Sequence, residues 1–442
     1  MARETSLDSS TTTVEKAFLV AVDTGEDPGW TAEESLRELA ALAETAGAEV
    51  VGSMWQNRSV LHPNTYMGKG KLDELVQAKD ESGFTLLVAD DELSPKQQRS
   101  FENLLDVKVL DRSGLILDIF AQRAQTAEGR LQVELAQLEY QLPRLTRLWT
   151  HLSRTGGGIG TRGPGEQQLE TDRRVIRLHI KKMKERVEAV RQRRETAARA
   201  RDRRLIPSVA VVGYTNAGKS TLLNALVGEH VAGVEDKLFA TLDPTSRRVS
   251  LGDGQTVIVT DTVGFIHKLP HQLIDAFRAT LEEVTRADVL LIVVDASDPQ
   301  AGEHLATVTS VLDELGAGHT SRVIVCNKVD LTEAERADGA GPSSGIPSRV
   351  AREAVPVSAL RGEGLAALRT RLAEVLAELW VDVDVLLPYS AGDLLARVRE
   401  RGAVEFEYRD RDVRVRGRAS PAVAGELDSA GLAWRRALRA RD

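Results

Sequence analysis

The chain has 442 residues, of which 42% are hydrophobic and 28% charged, with a formal net charge of −8. This is the composition of a globular protein, and the length suffices for about three domains of 100–200 residues each. The single cysteine, Cys326, excludes an internal disulfide. The N-terminal stretch lacks the apolar core of a signal peptide, and the longest branched apolar run, Val289–Val294, is too short to cross a bilayer. We therefore expect a cytoplasmic protein.

The charge is distributed unevenly along the chain. Arg173–Arg204 contains 14 Lys and Arg against 4 Asp and Glu, which gives this stretch +10 and leaves −18 for the rest. The overall negative charge argues mildly against general affinity for nucleic acid. A basic stretch taken alone is by default a solvated helical face, and its function depends on what lies beside it.

Residues 1–15 are polar and rich in Ser and Thr, which predicts a disordered tail. From residue 16 to residue 112, strand and helix patterns alternate, and Thr31-x-x-Glu34 and Ser94-Pro95 signal two helix starts. This alternation predicts a small α/β domain with a parallel sheet covered on both faces. The predicted strands are Phe18–Val22, Glu49–Gly52, Phe84–Ala89 and Val107–Leu110, and a further helix is predicted at about Lys71–Lys79.

Two glycines and two lysines, Gly68-Lys-Gly-Lys71, precede that further helix. One interpretation is a second anion-binding loop that contacts a nucleotide or RNA. The other is an ordinary helix start after a flexible loop, which needs no ligand. The sequence leaves both open.

Residues 113–205 have helical periodicity, which predicts a helical hairpin. One apolar stripe belongs to a long helix that Pro143 should kink, and a second stripe follows the connection. Two such helices with little else to bury against should pair in an antiparallel arrangement. The first stripe is Leu131, Leu135, Leu138, Leu142, Leu145 and Leu148, and the second is Ile176, Ile180, Met183, Val187 and Val190.

The connection of this hairpin, Ser153–Gly165, contains six glycines and a proline and cannot fold by burial. A glycine-rich tip with arginines on a helical arm suits insertion into a structured RNA, because the backbone and the guanidinium groups can approach phosphates. A flexible linker is the alternative. The candidate RNA contacts are Arg154, Arg162, Arg173 and Arg174.

Residues 206–379 contain a phosphate-binding motif, G-x-x-x-x-G-K-S, between a predicted strand, Val209–Val212, and a helical segment, Thr221–Val227. Its glycines let backbone N–H groups surround phosphate oxygens, its lysine adds a cation, and its serine offers a hydroxyl to Mg²⁺. The predicted contacts are Gly213, Tyr214, Thr215, Asn216, Ala217, Gly218, Lys219 and Ser220.

Three further motifs follow predicted strands in the order that a guanine-nucleotide site requires. A carboxylate and a glycine should lie near the metal and the γ-phosphate, and Asp330 should read guanine because its carboxylate accepts from N1–H and the 2-amino group, which adenine lacks. The predicted residues are Asp261, Thr262, Val263 and Gly264; Asn327, Lys328, Val329 and Asp330; and Ser358, Ala359 and Leu360.

A switch segment is predicted between the first helix of this domain and the next strand. A threonine hydroxyl there can bind Mg²⁺ only while the γ-phosphate holds the segment closed. Thr241 is the candidate, with Thr245 as competitor, and Ser220 is the other predicted metal ligand. Phe265 follows the Asp-Thr-Val-Gly motif and cannot position water. We therefore expect either slow intrinsic hydrolysis that a partner accelerates or a water positioned by backbone or another loop, and the catalytic residue is unknown. The segment comprises Phe239, Ala240, Thr241, Leu242 and Asp243.

These motifs together resemble the HflX family of GTPases over nearly the whole chain. The resemblance rests on Tyr66–Leu75, Gly163–Arg174, Phe239–Thr245 and Asp261–Phe265. It implies an α/β domain and a helical hairpin ahead of a Ras-like P-loop GTPase domain. It also implies binding to the large ribosomal subunit near its peptidyl-transferase region, and separation of stalled ribosomes.

We therefore expect a monomeric, Mg²⁺-dependent GTPase, stimulated by ribosomes, with GTP, GDP, the large ribosomal subunit and ribosomal RNA as partners. An assembly checkpoint factor that binds immature large subunits without splitting ribosomes is the alternative, and an N-terminal motor that uses adenine nucleotides on RNA is a third hypothesis. Residues 380–442 are predicted to form a small α+β unit of the order βαββα, and Ala337–Pro347 a variable loop.

Overall fold

The computed structural model divides into two compact units. The first comprises the described residues up to Ala124 and from Arg130 to Lys184, and the second comprises Gln125–Gly129 and the described residues from Glu185 onwards. The described residues are 14–27, 29–144, 173–190, 192, 206–228, 238–252, 255–268, 278–332, 345–392, 394–395, 398, 402–410 and 412–419. Outside them lie most of the predicted tail, Arg154 and Arg162 with their loop, and most of the predicted variable loop.

A parallel four-stranded sheet forms the centre of the first unit, as predicted. Its order is β2-β1-β3-β4, and the inner strands are buried along nearly their whole length. The strands are β1 (Lys16–Asp23), β2 (Glu49–Asn57), β3 (Leu86–Ala89) and β4 (Lys108–Asp111); the helices are α1 (Ala32–Thr45), α2 (Lys69–Ser82), α3 (Pro95–Leu105) and α4 (Arg112–Arg123).

Side-chain caps fix where α1 and α3 begin. The Thr31 hydroxyl accepts a hydrogen bond from the Glu34 N–H at 3.2 Å, and the Glu34 carboxylate accepts one from the Thr31 N–H at 2.9 Å. Ser94 and Gln97 form the same reciprocal pair ahead of α3, with a proline in its first turn. Both starts agree with the sequence prediction because a capping box is a local interaction.

Helix α4 begins directly after β4 and packs against the sheet, so the predicted boundary between residues 112 and 113 falls at the start of a helix of the first unit. Asp111 caps α4 by accepting the Gly114 N–H at 2.8 Å. Arg112 is 1% exposed and donates to Asp90 Oδ1 at 2.5 Å and to the Ser35 carbonyl at 3.2 Å. It also pairs with Glu38.

Two further helices correspond to the predicted hairpin. Helix α5 (Ala127–Gln141) is followed by a 3₁₀ turn, Leu142–Arg144, so Pro143 ends this helix where a kink was predicted. Helix α6 spans 173–190. Lys184 of α6 pairs with Glu139 of α5 at 2.8 Å. Leu145, Leu148 and the connection lie outside the described residues.

The second unit contains a six-stranded sheet of order β10-β9-β8-β5-β7-β6, in which only β6 runs antiparallel. The carboxyl ends of its parallel strands bring the motif loops to one edge. The strands are β5 (Ser208–Gly213), β6 (Thr245–Gly252), β7 (Gln255–Asp261), β8 (Val289–Asp295), β9 (Ser321–Asn327) and β10 (Val355–Pro356); the helices are α7 (Lys219–Val227), α8 (Arg278–Arg286), α9 (Ala301–Glu314), α10 (Ser348–Glu353) and α11 (Leu365–Glu378).

Three antiparallel strands follow in the order β11-β13-β12: β11 (Val381–Pro388), β12 (Gly402–Tyr408) and β13 (Asp412–Ala419). They have a separate small core that includes Val383, Val385 and Val415. The last helix of the predicted βαββα order lies outside the described residues. The predicted α/β fold class with a P-loop GTPase domain is confirmed. In the part of the chain that the structure describes, no helix is long and apolar enough to span a membrane.

Candidate functional site

The phosphate-binding loop connects β5 to α7. Gly218, the N-cap of α7, has a φ of +87°, and a Cβ at this position would collide with the Asn327 side chain. Glycine is therefore required here on both conformational and steric grounds. The loop leaves the N-terminus of α7 facing an open cleft, which suits an anion.

Lys219 lies in the first turn of α7 and is 7% exposed. Its ammonium donates to the carbonyl oxygens of Gly213 at 3.2 Å and Tyr214 at 2.7 Å. Burial lowers the pKa of Lys219 to about 8, and the nearby Asp261 opposes this shift. A phosphate oxygen in the cleft would favour the charged form of this lysine more strongly than the neutral carbonyls do.

Two hydroxyls meet one carboxylate beside the loop, and we call Ser220, Thr241 and Asp261 the metal corner. Asp261 Oδ2 accepts from Ser220 Oγ at 2.6 Å and from Thr241 Oγ1 at 2.8 Å, and the two hydroxyl oxygens are 2.7 Å apart. Burial raises the pKa of Asp261, while Lys219 lowers it. The geometry favours Thr241 over Thr245, which is the first residue of β6.

The metal corner fits Mg²⁺. Asp261 Oδ1 is buried and has no hydrogen-bond partner among the described residues. An unsatisfied buried carboxylate oxygen is costly, and a hard cation held through oxygen atoms would relieve that cost. Ser220, Thr241 and Asp261 would hold the ion directly or through water.

Phe265 is held beside the phosphate-binding loop through its backbone. Its N–H donates to the Gly213 carbonyl at 3.1 Å, and its carbonyl accepts from the Thr215 N–H at 2.8 Å. The phenyl ring is 1% exposed and offers no polar atom, which agrees with the expectation that this residue does not position water. A Cβ at the preceding Gly264 would lie 2.9 Å from the backbone Cα of Thr215 and 2.9 Å from Lys219 Nζ, so this position has no room for a side chain.

Asn327 connects the phosphate-binding loop to the loop at 358–360. Its amide nitrogen donates to the Ala217 carbonyl at 2.9 Å, and its amide oxygen accepts from the Ala359 N–H at 3.0 Å. Asp330 is 6% exposed, and Arg361 approaches its carboxylate at 3.8 Å, a contact that the sequence did not predict. Lys328 pairs with Asp295 at 2.6 Å.

Many of the predicted nucleotide-binding residues line one cleft, and others support it. Tyr214 is buried, accepts the His267 N–H at 2.8 Å and stacks on His304. Asp243 was predicted to contact the nucleotide, but its carboxylate accepts hydrogen bonds from the backbone N–H groups of Gln125 and Thr126. The cleft is lined by Thr215, Asn216, Gly218, Lys219, Ser220, Thr221, Phe239, Ala240, Thr241, Thr262 and Gly264. Of the candidate RNA contacts, Arg173 is half-buried and Arg174 exposed on α6.

Comparison with known proteins agrees with this site. Residues 33–121 match a family model described as GTP-binding GTPase N-terminal, residues 123–201 one described as GTP-binding GTPase Middle Region, and residues 208–328 one described as 50S ribosome-binding GTPase. The chain is 46% identical over 414 residues to the GTPase HflX of Caldanaerobacter subterraneus subsp. tengcongensis, covering 93% of each chain. This chain belongs to the HflX family of GTPases.

Another HflX relative and two solved structures extend the comparison. The GTPase HflX of Escherichia coli strain K12 is 43% identical over 379 residues, covering 86% of this chain and 88% of that one. A GTP-binding protein of Sulfolobus solfataricus with GDP is 23% identical with a TM-score of 0.41, covering 82% of this chain and 98% of that one. A structure of SsGBP with GDP is 24% identical with a TM-score of 0.45, covering 83% and 99%. As a member of the HflX family, the chain binds and hydrolyses GTP.

Proposed function

We propose that this GTPase is a Mg²⁺-dependent switch that binds the large ribosomal subunit in its GTP form and separates stalled ribosomes into subunits in the cytoplasm. The metal corner carries the switch part of this proposal. Thr241 belongs to the segment after α7, whereas Ser220 and Asp261 belong to the phosphate-binding loop and to β7. A metal ion at this corner can therefore hold the segment, and loss of the γ-phosphate can release it.

Ser220, Thr241 and Asp261 would hold Mg²⁺, which would supply positive charge to the phosphate end of the site. Lys219 adds a second positive charge on the same side, while Phe265 supplies only backbone atoms. No described side chain is assigned as the group that orients the attacking water. We therefore propose slow hydrolysis in the isolated protein and acceleration by the ribosome.

Two observations support the ribosome as partner. First, the family model that matches residues 208–328 is described as a 50S ribosome-binding GTPase. Second, basic side chains at several positions of α6 are exposed, and such a row can pair with RNA phosphates. These side chains are Arg174, Arg177, Lys181, Lys182 and Arg186. The loop with Arg154 and Arg162 connects α5 to α6 in the sequence and is proposed to add contacts.

Sedimentation of purified ribosomes through sucrose tests this function. Ribosomes are incubated with the protein and a non-hydrolysable GTP analogue, with GDP, or with the Ser220→Ala variant as control. We expect split subunits, with the protein on the large subunit, only for the wild type with the GTP analogue. Intact ribosomes with the protein on free large subunits would instead support the checkpoint function.

A further inference from the structure

The switch segment contacts the start of helix α5 through one carboxylate. Asp243 Oδ2 accepts hydrogen bonds from the backbone N–H groups of Gln125 at 3.0 Å and Thr126 at 2.9 Å, and Oδ1 accepts the Thr126 hydroxyl at 2.5 Å. Gln125–Gly129 and Asp243 belong to the same compact unit. These three bonds join residues more than 100 positions apart in the sequence.

This contact completes the cap of α5. Thr126 Oγ1 accepts the Gly129 N–H at 2.9 Å, which is the bond of an N-cap residue. The carboxylate of Asp243 adds a negative charge at the positive end of the helix dipole. A Cβ at Gly129 would collide with Asp243 Oδ1, so glycine permits the contact although alanine is the better helix former.

The same segment also reaches the metal corner. Thr241 lies two residues before Asp243 and contacts Ser220 and Asp261, and the intervening Leu242 is 3% exposed. Two residues of extended chain span only about 7 Å, so a large displacement of Thr241 should also displace Asp243. The segment is thus attached at two points, through Thr241 to the nucleotide site and through Asp243 to α5.

We propose that Asp243 is a positioning residue that couples the nucleotide state to the first turn of α5. With Mg²⁺ and GTP, Thr241 is held and Asp243 stays on Gln125 and Thr126; after hydrolysis both contacts loosen. The inference rests on the proposed switch but needs no ribosome. Because coupling is reciprocal, an intact cap on α5 must also favour the GTP form over the GDP form.

Nucleotide affinities of the full chain, without ribosomes, test the coupling. Asp243→Asn and Thr126→Ala should each lower the preference for a non-hydrolysable GTP analogue over GDP by about 5- to 10-fold, near the low end of allosteric couplings. Thr126→Ser keeps the hydroxyl and should retain the preference. Thr31→Ala is the matched control, because it removes the N-cap hydroxyl of α1 and should leave the preference unchanged.

Hydrogen exchange of peptides covering 125–133 provides a second readout. In the wild type, the GTP analogue should protect this stretch more than GDP does, and Asp243→Asn should abolish the difference. Gly129→Ala should also abolish it by displacing the carboxylate, whereas an effect of helix propensity alone would raise protection in both states.

Thr241→Ala separates the inference from the proposed function. If Thr241→Ala lowers the GTP preference while Asp243→Asn and Thr126→Ala do not, the coupling is refuted and the switch stands. If Thr241→Ala also has no effect, the switch itself is refuted and the coupling with it.

Discussion

At the metal corner, two hydroxyls and one carboxylate are brought together although they come from three different elements. Ser220 and Asp261 are fixed by α7 and β7, whereas Thr241 is attached only through its segment. The hydroxyls share Asp261 Oδ2, which leaves Oδ1 for a cation. We therefore expect Thr241 to be the member of this corner that depends on nucleotide state.

Removing these two hydroxyls one at a time should change the affinities for GDP and GTP in different ways. Ser220→Ala should weaken Mg·GDP and Mg·GTP together, because we propose that Ser220 faces the metal in both states. Thr241→Ala should leave GDP affinity nearly intact and weaken binding of the GTP analogue, since its hydroxyl is proposed to reach the metal only in the closed segment. Titration calorimetry with and without EDTA checks both expectations. Equal loss of GDP and GTP affinity in Thr241→Ala would point to Thr245 instead.

Asp330→Asn should shift the preference from guanine towards xanthine nucleotides. The amide replaces one acceptor by a donor, which suits the C2 carbonyl of xanthine and opposes the guanine amino group. The hydrogen bond lost from this buried pairing should weaken the binding of guanine nucleotides by about 1–3 kcal/mol. Competition between GDP and xanthosine diphosphate measures the change, with the surface variant Asp313→Asn as control. Unchanged guanine selectivity would remove Asp330 from the role of base reader.

The sequence predicted which residues form the motifs of this site, but it did not predict their hydrogen-bond partners from distant parts of the chain. Phosphate and base recognition depends on short contiguous motifs at strand ends, and these can be recognised without a structure. Asp243 was grouped with the nucleotide contacts, but its partner Thr126 lies 117 positions away. Similarly, Arg112 and Ser35 are 77 positions apart, and nothing local to either predicts a buried ion-pair cluster.

Among the helices and strands, those with a strong local sequence signal were predicted and those with a weak one were missed. The capping-box spacing Thr31-x-x-Glu34 and the pair Ser94-Pro95 predicted two helix starts because both signals lie within a few residues of the start. Strand β6 was missed because Val249 and Leu251 are its only buried residues, so its pattern is weak. The break between α4 and α5 was also missed, since helical periodicity resumes within a few residues of Arg123.

Helix α4 should depend on Arg112 for its attachment to the sheet. Arg112→Met removes the guanidinium that pairs with the buried carboxylate of Asp90, and breaking a buried ion pair costs about 3–5 kcal/mol. We expect faster hydrogen exchange in β1, β3 and α4 and unchanged GDP affinity. Arg37→Met, at an exposed position of α1, is the control. Wild-type exchange in Arg112→Met would mean that apolar packing alone holds α4.

At the scale of the whole molecule, charge separates the hairpin from the remainder of the chain. The stretch Arg173–Arg204 carries +10 in a protein of net charge −8. A negatively charged protein should not bind RNA indiscriminately, but a basic helix can still form specific phosphate contacts. Attraction to the ribosome should therefore reside in the hairpin and should depend on salt concentration.

The salt dependence of ribosome binding can be assigned to individual side chains of α6. Removing one side chain that pairs with a phosphate should make the slope of log affinity against log salt shallower by roughly 0.7–0.9. We expect this change for Arg174→Ala and for Lys181→Ala, measured with the GTP analogue bound. Lys184→Ala removes the same charge from the same helix, but Lys184 is already paired with Glu139 at 2.8 Å, so its slope should change less.

The same variants also distinguish a role in ribosome binding from a role in ribosome splitting. GTP affinity of the isolated protein should be unaffected by these variants, because none of the described residues that line the nucleotide cleft belongs to α6. Once protein concentration is raised to restore full occupancy, Arg174→Ala and Lys181→Ala should split ribosomes at the wild-type rate if α6 supplies affinity alone. Arg154→Ala with Arg162→Ala should remain slow at full occupancy if the loop acts mechanically. Equal salt slopes for Lys181→Ala and Lys184→Ala would instead assign the charge effect to the long-range field of the hairpin, without specific phosphate contacts.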